Sequence, residues 1–367
     1  MKRSIVLLIA IVVVFAAAAG FIYWSQTHGL QRGAELRLLA YVGYDEPEFI
    51  KPLEKALNAR ITVETYVGGD EMYAKMTNAP GGTYDVVVLD AEYGEKLFTA
   101  NRILALEPDL WRFDDLFSKF QTGQPGNVGQ AVYATVARWG AIGIVFNKNR
   151  IDSSHLDTYS VLFDPSLKGH VGLYDWYLPN MGVLSLSMGN PEPYDIDHTQ
   201  LARLEEELRR LRPQVASIQP NPGQVLQDFR NGSTWIAPGV GEWAAAALAS
   251  EGLPIDWAVP KPGGIMWVEA FSLAANSRHP ELAKQFLREV MRPQQLALLA
   301  TRKAYYSQVT RKSAYQYIPI AARNNLKAND LAVLNDVASH LHFRHLPGPK
   351  TNEKDWLAVW TSFKAAR

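Results

Sequence analysis

The segment LRLLAYVGYDEPEFIKPLEKALNARITVETYV, residues 36–67, decides the expected fold because it changes pattern twice. Its first seven and last seven residues are short apolar or β-branched runs typical of strands, and a longer mixed stretch typical of a helix lies between them. A second helix at 70–79 and a buried strand at 84–90 continue the alternation. This β-α-β-α-β order predicts an α/β fold with a mostly parallel sheet covered by helices.

A second alternating series begins near Gly143. Its predicted strands are 143–147, 170–175, 233–239 and 255–260, with a helix around 201–213. No internal repeat relates the two series, and two α/β lobes fit them better than one long sheet. The chain should cross between the lobes near Gly140, Val268 and Ala314. The predicted lobes are therefore 36–140 with 269–314, and 141–268 with 315–367.

Composition limits the classes of protein that the chain can belong to. Its 367 residues are 47% hydrophobic and 20% charged, enough for a large buried core and for two domains. Lys plus Arg and Asp plus Glu are both 37, so no basic excess indicates a nucleic-acid partner. The absence of Cys excludes disulfide bonds and a lipid-modified cysteine.

Residues 1–30 form a different kind of sequence. Lys2 and Arg3 precede the run 5–24, which carries no charge. This pattern is typical of a cleaved signal peptide, and its length also fits a helix that stays in the membrane as an anchor. Both readings place the rest of the chain outside the cytoplasm, since the basic start favours a cytoplasmic N-terminus. We therefore expect a periplasmic protein.

The segment GGIMWVEAF, residues 263–271, places an aromatic ring and an acid two positions apart. If this run is a strand, Trp267 and Glu269 point to the same face of the sheet. An indole and a carboxylate together are a poor pair for a core. Both attract positive charge, so the pair is suited to holding a cation with an apolar stem.

Acids and aromatic rings also follow the predicted strands. In open α/β sheets, ligands bind beyond the carboxyl ends of the strands. The residues found there are Tyr41, Gly43, Tyr44 and Asp45 after the first strand, Asp90 and Glu92 after the third, Asp175, Trp176 and Tyr177 in the second series, and Gly239, Gly241, Glu242 and Trp243 after 233–239. None of these residues is basic. The strand ends therefore predict a site for a positively charged ligand.

Several segments carry a resemblance to a known family. They include WGAIGIVFN, LFDPSLKGHVGLYD, NGSTWIAPGVGEW and, most specifically, VPKPGGIMWVEAFSLAANSRHPELAKQFLREVMRP. In order and content they resemble the periplasmic polyamine-binding proteins, the spermidine- and putrescine-binding components of ABC importers. The resemblance covers nearly the whole chain from Leu36 onward. It implies a two-lobed protein that closes around a small cationic amine and delivers it to ABC permease subunits in the inner membrane.

The resemblance also implies site residues. The ligand-binding residues predicted from the strand ends and the resemblance together are Tyr44, Asp45, Asp90, Glu92, Asp175, Trp176, Glu242, Trp267, Glu269 and Tyr306. Gly43 and Gly239 stand where the family has tryptophan, which predicts a wider pocket and a bulkier ligand. Tyr44, Trp176 or Trp243 could refill that space.

Other classes of function remain open on the sequence. The chain lacks the motifs of common hydrolases and phosphate-binding enzymes, so no enzyme activity, cofactor or metal is expected. His340, His342 and His345 are a transition-metal candidate by composition, and the Tyr305–Tyr306 pair is a candidate for ferric ion. The same fold could instead bind another organic solute, or report its ligand to a membrane signalling protein. We expect a monomer.

Overall fold

The computed structural model describes residues 33–302 and 306–366, which fold into two α/β lobes. The strands are β1 (Glu35–Tyr41), β2 (Arg60–Tyr66), β3 (Val86–Asp90), β4 (Asn127–Val128), β5 (Ala131–Val132), β6 (Thr135–Asn147), β7 (Val171–Tyr174), β8 (Val215–Gln219), β9 (Ile236–Gly241), β10 (Ile255–Ala258), β11 (Gly264–Leu273), β12 (Gln308–Val309) and β13 (Leu341–Phe343). The two-lobed α/β fold expected from the sequence is confirmed.

The described residues also form α-helices and short 3-10 helices. The α-helices are α1 (Pro47–Leu57), α2 (Gly69–Asn78), α3 (Gly94–Thr99), α4 (Tyr177–Ser187), α5 (His198–Leu211), α6 (Pro222–Arg230), α7 (Glu242–Ser250), α8 (Pro280–Val290), α9 (Pro293–Ala300), α10 (Ile320–Asn325), α11 (Leu331–Ser339) and α12 (Glu353–Ala365). Short 3-10 helices lie at Ala91–Tyr93, Pro108–Leu110, Ser118–Phe120, Ser153–His155, Tyr159–Phe163, Pro165–Leu167, Arg212–Gln214 and Lys312–Tyr317. The elements predicted in residues 36–90 match β1 to β3, α1 and α2.

One sheet runs through both lobes. Its order is β2-β1-β3-β11-β6-β9-β7-β8, with β10 and β12 added on β6 and β13 added on β11. The β2-β1-β3 side is called the first lobe below, and the β9-β7-β8 side the second lobe. Strands within each of these sides are parallel, as the sequence predicts. The central strands β6 and β11 run antiparallel to each other, β11 runs antiparallel to β3, and β6 runs antiparallel to β9, so the sheet is mixed at its centre.

The two central strands carry the chain between the lobes. Gly140 of β6 is paired with Trp267 of β11, and Trp139 with Val268. Every residue of β11 is buried, as is every residue of β6 before Asn147. Both strands therefore have packing on their two faces, which explains why their sequences read as near-continuous apolar runs.

The late part of the chain returns to the second lobe. Helix α12 packs against α4 and α5, and α10 packs against α7. Strand β13 pairs with the β11 residues Gly264–Met266, next to the place where β3 pairs with Glu269–Leu273. The residues just after β13 therefore lie between the two lobes. The lobe boundaries given above stay a prediction.

The N-terminal signal or anchor predicted over 1–30 lies outside the described residues. Within 33–302 and 306–366, no helix is both long enough and apolar enough to cross a bilayer.

Candidate inter-lobe binding site

A cavity lies between the lobes, at the ends of strands from both of them. Its walls are Tyr41, Asp90, Ile142, Tyr174, Trp176, Pro179, Pro222, Gly239, Gly241, Trp243, Trp267, Glu269 and Arg344. Five of these side chains are aromatic and three are charged. A mostly apolar cleft with a few convergent charged groups has the composition of a small-molecule site.

Trp267 and Glu269 both face this cavity, as their spacing on one strand predicts. The phenol of Tyr44 donates a hydrogen bond of 2.5 Å to Glu269 Oε2. Nη1 of Arg138 lies 3.3 Å from the same oxygen. The acid predicted to hold a ligand cation is thus already next to a cation of the protein.

Arg138 lies on β6, directly beside Glu269 of β11 in the sheet. Its side chain is fully buried. The guanidinium carbon lies 5.5 Å from the ring centre of Tyr44 and 5.8 Å from that of Trp267, and Nε donates to Ser307 Oγ at 2.8 Å. The Glu269 carboxylate and the rings of Tyr44 and Trp267 thus hold a cation of the protein, Arg138, where the sequence predicts a cation of the ligand.

A second buried group of charges lies at the end of β3. Arg344 follows β13, and its Nε donates to Glu92 Oε1 at 2.5 Å while Nη2 donates to Asp90 Oδ1 at 3.0 Å. The guanidinium carbon lies 4.1 Å from the ring centre of Trp176 in the second lobe. Asp90 Oδ2 and Glu92 Oε2 are buried and have no hydrogen-bond partner among the described residues.

Burial and the neighbouring Glu92 charge raise the pKa of Asp90 well above its ordinary value, against the opposing effect of Arg344. A raised pKa means that the surroundings of Asp90 stabilise its ionised form less than water does. A cation placed against Asp90 would stabilise that ionised form.

Glu242 is the first residue of α7, beneath the cavity floor. Its Oε2 accepts hydrogen bonds from the Ala141 backbone N–H at 2.9 Å and from Trp267 Nε1 at 3.3 Å. Oε1 is buried without a hydrogen-bond partner in the described residues. Burial raises the pKa of Glu242 to about 8, although both hydrogen bonds favour the ionised form. Glu242 is therefore mostly protonated at neutral pH and helps to fix the Trp267 ring.

Glu242 should make the folded protein less stable as the pH rises. The folded state keeps a proton on this carboxyl between pH 4.5, its ordinary pKa, and about 8, whereas the unfolded chain releases it. Through Glu242 alone, the free energy of unfolding should be about 2 kcal/mol lower at pH 8 than at pH 6. Glu242→Gln should remove that part of the decline in a thermal-unfolding series.

Glu281, whose side chain is 78% exposed, provides the matched control. Glu281→Gln should leave the pH dependence as it is in the native protein. If Glu242→Gln has the same pH profile as the native protein, Glu242 is not the titrating group.

Polar contacts join the lobes around the cavity. Tyr41 of the first lobe and Tyr174 of the second both line the cavity. Lys96 of α3 lies 3.0 Å from Glu353 of α12, and Glu353 also accepts a 3.1 Å hydrogen bond from the Tyr177 hydroxyl. These contacts connect the two lobes directly. Each is partly exposed, so it contributes little to stability by itself.

The structure brings four of the predicted site residues to the cavity wall and places the others elsewhere. Those lining the cavity are Asp90, Trp176, Trp267 and Glu269. Those behind it or away from it are Tyr44, Glu92 and Glu242, described above, and Asp45, Asp175 and Tyr306. None of these six lies on the cavity wall.

The remaining three predicted residues have other contacts. Asp45 is exposed, and its Oδ1 accepts a hydrogen bond from the Gly43 N–H at 3.2 Å. Asp175 accepts from Trp360 Nε1 at 2.8 Å and lies 2.9 Å from Lys364 Nζ. Tyr306 is half-buried against the core, and its neighbour Tyr305 lies outside the described residues.

Sequence reasoning missed Arg138 and Arg344. Arg138 lies in the middle of β6, and Arg344 follows a three-residue strand near the end of the chain. Neither position is the end of a predicted strand. The only sequence feature that could have indicated them is the number of acids at the ends of the predicted strands, because acids that become buried need compensating positive charge.

The wider pocket predicted from Gly43 and Gly239 stays a prediction, and the structure gives both glycines a reason of their own. Both glycines have positive φ, 97° and 68°, which other residues rarely adopt. A Cβ at Gly239 would also lie 2.4 Å from Asn180 Oδ1. Backbone geometry therefore accounts for these glycines. Trp176 and Trp243 supply aromatic walls, whereas Tyr44 is turned toward Glu269.

The described residues offer no metal site. No three His, Cys, Asp or Glu side chains in this part of the chain are grouped to hold an ion, and this includes His340, His342 and His345.

A two-lobed α/β frame with a cavity between its lobes defines the class of solute-binding proteins. Residues 48–328 match the bacterial extracellular solute-binding protein family, and the chain belongs to that family. The resemblance inferred from the sequence is confirmed, because the curated relatives are polyamine-binding proteins.

The chain is 26% identical over 265 residues to the spermidine/putrescine-binding periplasmic protein of Escherichia coli, covering 68% of this chain and 70% of the relative. It is 23% identical over 337 residues to the putrescine/agmatine-binding protein of Pseudomonas aeruginosa, covering 83% and 85%. The solved structure of the spermidine/putrescine ABC transporter substrate-binding protein PotD from Streptococcus pneumoniae has a TM-score of 0.73 at 18% identity, covering 90% and 98%.

Proposed function

We propose that this protein is an exported solute-binding protein that captures a cationic amine between its lobes and delivers it to the permease of an ABC importer. The observation that carries the proposal is the buried Oδ2 of Asp90, which has no hydrogen-bond partner in the part of the chain that the structure describes. It lies in a cavity that Glu269 and the ring of Trp176 also line. Carboxylate and indole are the groups that attract an ammonium ion. The names of the relatives support an amine as the ligand.

Binding in this proposal is noncovalent, and no chemical step follows it. The ligand contacts side chains of both lobes, so it favours the closed arrangement through its higher affinity for that state. Release then requires the lobes to open against the permease. The N-terminal segment would export the protein to the periplasm, either cleaved or kept as an anchor.

A thermal-shift screen tests the proposal. The purified protein is heated with primary amines, amino acids, sugars, and alcohols of the same carbon skeleton as the amines. An amine at 100 times its dissociation constant should stabilise the fold by about 2.7 kcal/mol, and its matched alcohol should have little effect. The reason is that the alcohol keeps the shape and apolar surface but lacks the charge that Asp90 requires.

Solution scattering on the same samples measures closure. The stabilising amine should lower the radius of gyration, since an open form is drawn into the closed one. A protein that is stabilised by a sugar or an amino acid, and by no amine in the series, would overturn the proposed ligand class.

A further inference from the structure

The charges around the cavity nearly balance before any ligand enters. Asp90, Glu92 and Glu269 are the carboxylates of the two buried charge groups, and Arg138 and Arg344 are their guanidinium partners. All five side chains are at most 6% exposed. With all five groups ionised, the three acids and two guanidinium groups carry one excess negative charge. We assign this charge to Asp90, because its Oδ2 is buried without a hydrogen-bond partner among the described residues. The ionised form of Asp90 needs an added cation, since burial and Glu92 raise its pKa. Glu242 adds little, because burial raises its pKa to about 8.

Arg344 contacts an aromatic ring and two carboxylates, which are the contacts that a bound amine would make. Its guanidinium is stacked 4.1 Å from the ring centre of Trp176 and donates to carboxylates of the other lobe. Arg344 directly follows β13, and β13 pairs with the second-lobe end of β11. A positive charge of the protein thus already bridges the lobes at one end of the cavity.

Arg138 fills the second acid and aromatic group in the same manner, between Glu269 and the rings of Tyr44 and Trp267. The cavity that remains between the two guanidinium groups has aromatic and apolar walls. Its uncharged lining side chains include Tyr41, Ile142, Tyr174, Trp243 and Pro179. Such walls offer apolar contact area to a ring or a branched carbon skeleton.

We propose that the site accepts a ligand with one positive charge, a primary amine on an aromatic or bulky apolar body, and that Arg344 determines this specificity. The inference rests on the proposed function and refines its ligand class. A single ammonium against Asp90 brings the buried charges to balance. A second ammonium on a linear polyamine would meet the guanidinium of Arg344, and like charges in a desolvated site repel strongly.

Calorimetry with three probes tests the inference on the native protein: 2-phenylethylamine with one charge, putrescine with two, and spermidine with three. The native protein should bind 2-phenylethylamine at least about tenfold more tightly than either polyamine, because only the monoamine leaves no unbalanced charge. Tighter binding of putrescine or spermidine by the native protein would overturn the inference. It would leave the proposed amine-binding function intact.

Arg344→Met tests the specificity role directly. Methionine keeps an apolar stem against Trp176 and removes the charge, which leaves two acids for a second ammonium. Putrescine should gain at least about tenfold in affinity relative to 2-phenylethylamine. Arg344→Lys keeps the charge and should keep the native order of affinities. An Arg344→Met protein that is folded and shows the native order would contradict a role for Arg344 in specificity.

The double variant Arg344→Met with Glu92→Gln is a control that restores the native charge of the cavity. It is also less prone to misfold than Arg344→Met, because no additional buried acid loses its counter-charge. It removes one buried acid together with the guanidinium, so the cavity again has one excess negative charge. Preference for the monoamine should return. If the double variant instead binds putrescine as the single variant does, charge balance does not set the ligand. If no variant and no native sample binds any of the three amines, the proposed function itself fails.

Discussion

Replacing Arg138 with methionine is expected to lower the free energy of unfolding by about 3–5 kcal/mol, which would be among the largest effects of any single substitution in this protein. Arg138 is fully buried, and its Nη1 lies 3.3 Å from Glu269 Oε2. Methionine fills much of the same space but leaves the Glu269 charge buried without this partner. Chemical denaturation with urea, followed by tryptophan emission, measures the loss.

Arg37→Met is the matched control. Arg37 is on β1, its side chain is 49% exposed, and its nearest acid, Glu35, is 3.7 Å away. This substitution should change stability by no more than about 0.5 kcal/mol. Adding Glu269→Gln to Arg138→Met should recover part of the lost stability, since the buried charge is then removed as well. Equal stability of Arg138→Met and Arg37→Met would contradict a structural role for the Arg138–Glu269 pair.

The strands and helices of the first lobe could be predicted because each has a local pattern. The buried strand at 84–90 and the helix at 46–59 differ in period and length, and neither needs distant contacts to be recognised. The direction in which strands pair has no such local pattern. The antiparallel path of β6 and β11 through the centre of the sheet was therefore outside sequence reasoning. Of β6, the sequence predicts only the part at 143–147 as a strand.

The candidate site was predictable to the same degree. Trp267 and Glu269 share a face because they are two residues apart on one strand, and both do line the cavity. Their Arg138 neighbour comes from another strand, 131 residues away from Glu269. Arg344 is 252 residues from Glu92. Partners at such separations are set by topology, so a sequence shows the acids without showing what balances them.

This difference changes the chemistry expected of the site. The sequence alone predicts several acids available to a ligand, which suits a polyamine. The structure places a guanidinium group within each buried set of acids, and one of them, Arg344, lies on the cavity wall. A ligand must therefore supply only the positive charge that these acids still lack after pairing with Arg138 and Arg344. The affinity for it should depend most on Asp90, which lies on the cavity wall and has an oxygen with no hydrogen-bond partner among the described residues.

Asp90→Asn is accordingly expected to weaken binding of the preferred amine by about 2–5 kcal/mol, because it removes the anion while keeping the size of the side chain. Arg344 retains its 2.5 Å hydrogen bond to Glu92, so the folded arrangement should survive, and thermal unfolding without ligand checks this. Asp175→Asn is the matched control: Asp175 is in the same predicted set but is bonded to Trp360 and Lys364 away from the cavity wall. Its substitution should leave affinity in calorimetry unchanged. The opposite order, with binding lost in Asp175→Asn and kept in a folded Asp90→Asn protein, would move the amine site out of the inter-lobe cavity.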